Sequence, residues 1–468
     1  MKPLKNSGNK IHFTSLGCAR NLVDTEVMIG LVLKAGYEAT SQVEDADFLV
    51  VNTCGFLASS RQESSDTIGG LFQEKKKGAK IVVVGCMVQK HKDELKTRFP
   101  DIHYFLGSGD MERILEAIQT PVAGEAVTTA RSYLEWGEVP RQISTPSHYA
   151  YLKIAEGCAK RCAFCIIPKI KGPLRSKSQE QVLKEFQLLL DQGVHEVILI
   201  AQDLGDYGKE RKEEKGLERL LQNMLSIEKD FWIRLLYLYP DEISEEIIAL
   251  MEKDPRICRY LDMPIQHIND QILKAMRRKT SREQIIETIE RLRKRVPGIV
   301  IRTSLMVGFP RETEEQFEEL YQFVRDFALD NVGIFKYSRE EESFSAQLPN
   351  HVSEEVKQAR FEKLAALQVK KVKQRNKAYI GKRLSVIVEG YHTDSPYLMR
   401  GRFYGQCPEI DGQVIINDGR KVTEFGVLYE VQITDIADYD LIGKVIGPLS
   451  KKAAPPQNKL SKLSFLNG

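Results

Sequence analysis

Three apolar runs near the start of the chain, IHFTSLGC, ADFLVVNTC and AKIVVVGC, each end in a cysteine and lead into a polar, helix-compatible stretch. The cysteines, Cys18, Cys54 and Cys86, are spaced by 36 and 32 residues, the length of one βαβ unit. Near-continuous apolar strands alternating with helices predict a parallel sheet covered on both faces. Loops at the carboxyl ends of such strands gather on one edge, so the spacing predicts that the three cysteines converge there. Thr120 to Ala150 has broken periodicity and reads as a linker with one hairpin. Alternation then resumes in AYLKIAEGC, EVILIAQD, WIRLLYLYP, YLDMPIQH, IVIRTSLMVGFP and NVGIFKYS, with helical stretches such as SREQIIETIERLRKRV between them. Six β/α units predict an open, partial barrel whose active groups lie on the carboxyl-end loops. A helix, SEEVKQARFEKLAALQVKKVKQRN, leads into KRLSVIVEGY, YLMRGRFYG, QVIINDG and LYEVQITDI, the pattern of a small antiparallel β-barrel.

The expected fold class is therefore α/β and multidomain. Residues 10–125 form the parallel-sheet domain, 126–146 the linker, 147–375 the partial (β/α) barrel, 376–446 the small antiparallel barrel and 447–468 a flexible basic tail. A length of 468 residues agrees with several domains. The formal charge of +3 is too weak a bias to mark a nucleic-acid binder. No apolar run reaches the length of a bilayer span, and the polar start MKPLKNSGNK lacks the apolar core of a signal peptide. The expected address is the cytoplasm, where eight cysteines are not a disulfide framework.

The second cysteine group is compact. GCAKRCAFCIIPKIKG places Cys158, Cys162 and Cys165 close enough to face one inorganic centre, and soft sulfur ligands select iron–sulfur clusters or zinc. An electron-transfer cubane takes four cysteines, so three leave one iron open. Zinc would want a fourth nearby ligand, and His148 and His195 lie at the wrong distances.

This triad, following a strand and with an aromatic before its last cysteine, resembles the signature of the radical S-adenosylmethionine enzymes. The resemblance implies a four-iron four-sulfur cluster whose open iron chelates S-adenosylmethionine, and reductive cleavage to a 5′-deoxyadenosyl radical. Cys18, Cys54 and Cys86 could by spacing alone be plain core residues. Their surroundings, SLGCARNLVDTEVM, VNTCGFLASSRQES and VVVGCMVQKHKDEL, resemble the N-terminal domain of the methylthiotransferase family. There three such cysteines hold a second four-iron four-sulfur cluster, which carries or supplies the sulfur.

The resemblance extends from about Lys10 to Ile446 and makes the small barrel a TRAM domain. It also implies cofactor contacts at Gln202, Asp203, Arg302, Ser304 and Gly308, with simple strand caps as the alternative. No catalytic acid or base is assigned. Ser176-Lys177 departs from the family's usual Ser-Arg. His267, Cys258 and Cys407 read as core residues, and Lys209 to Gly216 as a solvated loop.

LGCARNLVDTEVM and NTCGFLASSRQES are similar to the branch that methylthiolates the β-carbon of an aspartate in ribosomal protein S-twelve. From Asn376 to Ile446 there are eight basic and ten acidic residues, which suits a basic protein partner better than RNA. The expected partners are that protein, free or in the small subunit, and a reductant such as flavodoxin, with no membrane and no direct nucleic-acid recognition. The alternatives are a transfer-RNA methylthiotransferase acting on an isopentenyladenosine, and a non-catalytic iron–sulfur protein that binds RNA.

Overall fold

The structure is a computed structural model, and it describes residues 9–128, 134, 139–327 and 329–449. Strands β1 (Lys10–Ser15), β2 (Glu38–Ala39), β3 (Phe48–Thr53), β4 (Lys80–Gly85), β5 (Tyr104–Gly107) and β6 (Gly124–Ala126) form a parallel sheet in the order β2-β1-β3-β4-β5-β6. Side chains alternate between faces along each strand. Val50, Val82 and Val84 enter one core, while Leu49, Val51, Ile81 and Val83 enter the other. Burial on both faces is why these strands read as unbroken apolar runs.

The central unit begins with β7 (Tyr149–Lys153), beside which β8 (Ala155–Glu156) and β9 (Arg175–Ser176) form a short antiparallel pair. β10 (Glu196–Ile200), β11 (Trp232–Leu235), β12 (Ile257–Asp262), β13 (Val300–Val307) and β14 (Asn331–Lys336) complete it. Their order, β14-β13-β12-β11-β10-β7, is that of an open, all-parallel barrel. Its helices start where the sequence supplies capping boxes, at Ser178 with Gln181, Ser281 with Gln284 and Thr313 with Gln316.

The C-terminal unit is a closed five-stranded barrel, β15 (Arg383–His392), β16 (Ser395–Phe403), β17 (Val414–Asp418), β18 (Val427–Ala437) and β19 (Asp440–Pro448), in the order β15-β16-β17-β19-β18. Four neighbouring pairs are antiparallel and β17 with β19 is parallel. An odd number of strands cannot alternate direction all the way round a closed ring, so at least one parallel pair is forced. β19 runs to Pro448, two residues into the expected tail, while residues 450–468 of that tail lie outside the described residues. Much of the expected linker and its hairpin also lies outside them, at 129–133 and 135–138. The linker's described end lies along the helix Ala19–Lys34, where Gln142 N donates to Glu26 O at 3.0 Å.

The two flanking units occupy opposite ends of the central barrel. Helix Ala19–Lys34 meets the carboxyl ends of the strands through Asp24 and Lys153, both fully buried. The C-terminal barrel meets the amino ends, where Glu196 accepts from Arg402 at 2.8 Å, Tyr260 donates to Asp411 at 2.7 Å and Tyr149 to Glu409 at 3.1 Å. A strand of five residues, such as β10, separates those ends by ~17 Å. Cys258 and Cys407 pack between them with Tyr151, Ile198 and Tyr260, as plain core residues. His267 is also a core residue, its Nε2 donating to Glu312 at 3.0 Å. The segment Lys209–Gly216 is mostly exposed, as expected of a solvated loop, and two bonds anchor it: Glu210 accepts from Ser176 N at 2.7 Å and Arg211 donates to Ser176 O at 2.6 Å. The nearby Lys177 is buried and pairs with Glu185. Among the described residues no helix is long and apolar enough to cross a membrane.

Candidate functional site: two facing cysteine trios

Cys18, Cys54 and Cys86 follow β1, β3 and β4, which are neighbours in the N-terminal sheet, so one sheet edge carries all three. Gly17 lets the first loop close on the second. Its φ is +90°, and a Cβ there would lie 2.8 Å from Cys54 Cβ and 3.1 Å from Cys54 Sγ. Asn21 fixes the same two loops, its amide donating to Leu16 O at 3.0 Å and Thr53 O at 3.2 Å. Asn52 in turn donates to Asn21 O at 2.9 Å. Replacing Asn21 by alanine strands two buried carbonyls, a cost of about 1–3 kcal/mol. The expected outcome is a less stable N-terminal unit in which the loops at Cys18 and Cys54 open first, measurable as faster amide hydrogen exchange there.

The second trio sits on the loop after β8. Gly157, with φ +74°, permits the entry turn, since a Cβ there would fall 2.0 Å from Pro173 O. Backbone N–H groups point at the sulfurs, Lys160 N to Cys158 Sγ at 3.4 Å and Ile167 N to Cys165 Sγ at 3.5 Å. Arg278 donates to Cys162 Sγ at 3.8 Å, and the Tyr239 hydroxyl lies 4.0 Å from the same sulfur. Burial pushes the Cys158 thiol up to about 11 and those of Cys165 and Cys86 to about 12. Cys18 behaves differently. Burial raises its thiol too, but Arg20, backbone N–H groups and Lys171 outweigh it and hold the thiol below its ordinary value. Protonated thiols become ligands when a metal displaces their protons. Two sets of three half-buried or buried thiols, each on glycine-shaped turns, fit soft metal centres with one position left open.

Both trios border the interface between the two units. Cys86 packs with Ile166, which directly follows Cys165, and with Ile170 of the short helix Ile167–Lys171. Lys171 pairs with Glu156 at 2.8 Å and Asp24 at 3.3 Å in the same interface. Arg20, two residues after Cys18, reaches over to the barrel, its Nη1 donating to Ala201 O at 2.8 Å and its guanidinium lying 5.1 Å from the Tyr237 ring centre. It favours the thiolates of both Cys18 and Cys165. Tyr237 itself adopts φ +61°, a conformation unusual for a bulky residue and typical of functional sites.

The five residues expected to touch S-adenosylmethionine fall into four situations. Gln202 follows β10 with both amide atoms buried and without a hydrogen-bond partner, the condition of a group awaiting a guest. Asp203 is buried against Lys160 at 3.2 Å, in a cluster with Asp206 and Glu242 that this lysine already fills. Burial raises its carboxyl, and with Lys160 opposing and the neighbouring carboxylates assisting it reaches about 7. Arg302 and Ser304 lie on one face of β13, with Arg302 bound to Asp262 at 2.7 Å. Gly308 is covered by the helix Glu354–Lys377: a Cβ there would lie 2.2 Å from Lys357 Cγ, and its N–H donates to Glu312 at 2.5 Å. Packing alone accounts for that glycine.

Sequence reasoning identified the six cysteines but not Arg20, Asn21, Lys171, Tyr239 or Arg278. Asn21 and Arg20 stand inside the word LGCARNLVDTEVM, yet nothing in that word says which carbonyl or sulfur they meet.

Residues 10–107 match a family described only as uncharacterized protein family UPF0004, 152–324 match the radical SAM superfamily and 380–446 the TRAM domain. Among solved structures, the radical S-adenosylmethionine methyltransferase TsrM from Kitasatospora setae shares the fold, with a TM-score of 0.53 at 15% identity over 81% of this chain and 80% of that one. A relative from Protochlamydia amoebophila, named ribosomal protein uS12 methylthiotransferase RimO, is 63% identical over 94% of this chain and 93% of its own length. The protein of the same name from Bdellovibrio bacteriovorus is 42% identical over 95% and 99%. With identity of this order across all three units, the chain belongs to the RimO family of radical S-adenosylmethionine methylthiotransferases.

Proposed function

We propose that this enzyme methylthiolates the β-carbon of an aspartate of ribosomal protein uS12, using one four-iron four-sulfur cluster on Cys158, Cys162 and Cys165 and a second on Cys18, Cys54 and Cys86. The observation that carries the reading is that two three-thiol sites border one interface, where a single substrate can meet both. The substrate comes from the relatives, whose printed name is ribosomal protein uS12 methylthiotransferase. When bound, the clusters and S-adenosylmethionine supply the one-electron chemistry, the sulfur and the methyl group. Such chemistry suits a β-carbon hydrogen, for which a side-chain base near neutral pKa has little driving force.

The protein's own residues bind, orient and exclude water. Gln202 offers both halves of a free amide to the methionyl part of the cofactor. Arg302 and Ser304 line the same barrel mouth, and Arg302 is kept oriented by Asp262. Asp203 and Gly308 act one step back, Asp203 by holding Lys160 beside Cys158 and Gly308 by seating the helix Glu354–Lys377. Arg278 and Tyr239 face Cys162, where a cation and a hydroxyl favour the more negative state of a cluster and so ease its reduction. A low-potential electron carrier of the flavodoxin kind supplies that electron, in the cytoplasm.

The C-terminal barrel enters this reading as a brace. Three of its ten acidic residues, Glu389, Glu409 and Asp411, and one of its eight basic residues, Arg402, are turned toward the central barrel. Its outward charge is therefore close to balanced, and the acidic excess noted along the sequence does not select a partner.

Intact-mass analysis of small-subunit proteins from cells with and without the gene tests the proposal. The expected result is loss of one methylthio group from uS12, mapped to an aspartate by fragmentation. Unchanged uS12 together with loss of methylthio from a transfer-RNA nucleoside would overturn the substrate.

A further inference from the structure

Beside the barrel's cysteine trio lies a cleft of about 260 Å³, and Cys162 forms part of its wall. Five of its ten lining residues are cations, Lys160, Arg161, Arg277, Arg278 and Lys279, against one carboxylate, Asp241. Two of the cations are committed inward. Lys160 pairs with Asp203, Asp206 and Glu242, and Arg278 is turned to Cys162 and to the Pro264 carbonyl. Arg161, Arg277 and Lys279 are exposed, and among the described residues none of the three has a carboxylate within ion-pair distance.

The chain builds this face by fastening two segments together. The short helix Asp270–Ala275 ends in a turn at Met276 and Arg277, the latter with φ +58°. Ala163, next to Cys162, donates its N–H to Met276 O at 2.9 Å, which ties the cysteine loop to that turn. Arg278 is buried against the cysteine, while Arg277 and Lys279 on either side of it stay in solvent. The Arg277 guanidinium lies 3.6 Å from the ring centre of Phe344, itself exposed.

Like charges gathered on a surface repel one another and draw in a partner of opposite sign. The proposed substrate is a basic protein, which this face turns away. The cysteine in the wall narrows the choice of acidic partner to one that exchanges electrons. We infer that Arg161, Arg277, Lys279 and the Phe344 ring dock an acidic electron-carrier protein of the flavodoxin kind beside Cys162. One electron leaves the reduced carrier and enters the cluster, so the carrier is oxidised as the cluster is reduced. No covalent bond forms or breaks in that transfer. The assignment rests on the proposed cluster at Cys158, Cys162 and Cys165.

The test uses the full-length, cluster-loaded enzyme and a purified, oxidised flavodoxin, without S-adenosylmethionine or uS12, and reads the equilibrium dissociation constant. For wild-type enzyme it should weaken about tenfold as salt rises from about 0.05 M to about 0.5 M, because exposed charges are screened. The double variant Arg277→Glu with Lys279→Glu should bind about 10–100-fold more weakly at low salt, within the range that charge steering contributes. Flavodoxin-driven cleavage of S-adenosylmethionine should slow to match. Iron content, and cleavage at saturating dithionite, a small reductant that needs no docking face, should equal those of wild type.

If the double variant binds flavodoxin as wild type does, or slows dithionite-driven and flavodoxin-driven cleavage alike, this face is no carrier site. If it loses affinity for a transfer RNA and keeps its affinity for flavodoxin, the patch serves nucleic acid and the assignment is wrong. Should the double variant lose iron, Lys279→Glu alone decides: weaker flavodoxin binding upholds the assignment and unchanged binding overturns it. Wild-type enzyme that fails to cleave S-adenosylmethionine even with dithionite would instead sink the proposed cluster, an outcome distinct from any result on this face.

Discussion

Replacing Cys54 by alanine is expected to abolish methylthiolation while leaving cleavage of S-adenosylmethionine measurable, and replacing Cys162 by alanine is expected to abolish both. The asymmetry follows from where each thiol stands. Cys54 follows β3 and shares its edge with Cys18 and Cys86, so its loss leaves two ligands on the N-terminal sheet and three on the barrel loop. Cys162 lies on the barrel loop, facing Arg278 and Tyr239. Each variant should carry about four irons where the wild type carries about eight. Product should fall at least about a thousandfold in each, as it does when one member of a set that acts as a unit is removed. Both cysteines are half-buried, so neither change opens a cavity in a core. Cys258→Ala is the control: that thiol is buried among Tyr151, Tyr260 and Ile198, and its loss should cost about 1 kcal/mol of stability and no iron. Product formation by Cys54→Ala within about tenfold of wild type would remove the N-terminal trio from the chemistry.

The cysteines were legible because their chemistry is written in residue type and their placement in strand period. A cysteine that follows each of three neighbouring parallel strands must come to one edge, whatever the side chains do. The barrel order was legible for a similar reason, since right-handed β/α units laid end to end have few alternatives. The partners of polar side chains were not legible. Arg20 reads as a surface cation at a helix start, yet it touches Ala201, some 180 residues away. Glu26, Arg141 and Glu185 read as ordinary helix or linker charges, yet they form one buried group, with Arg141 2.6 Å from Glu26 and 2.7 Å from Glu185. Charge counting failed for the same reason, because a count along the chain cannot tell an outward carboxylate from Asp411, which accepts from Tyr260.

Glu196 is where that hidden layer has its largest expected consequence. Its carboxylate, fully buried at the amino end of β10, accepts from Arg234 at 2.5 Å and from Arg402 of the C-terminal barrel at 2.8 Å. Burial raises its pKa, but the two guanidinium groups outweigh burial and hold it at about 2, against an ordinary value of 4.5. A depressed carboxyl contributes stability that is complete above its unfolded value and disappears as pH falls through its folded one. The docking of the C-terminal barrel should therefore weaken between about pH 4.5 and pH 2 and be insensitive to this group above that window. Glu196→Ala leaves Arg234 and Arg402 facing each other in the interior, and breaking a buried pair from one side costs about 3–5 kcal/mol. Urea unfolding should show that loss, and hydrogen exchange should show it first in β15 and β16. Replacing Glu196, Arg234 and Arg402 together by apolar residues of similar size should recover most of it, because the cost lies in uncompensated charge and not in shape. If the single and the triple variants are equally unstable, the network is holding geometry that apolar packing cannot replace. Iron content and cofactor cleavage should survive in the triple variant, since a full strand length of ~17 Å lies between this layer and the cysteine trios.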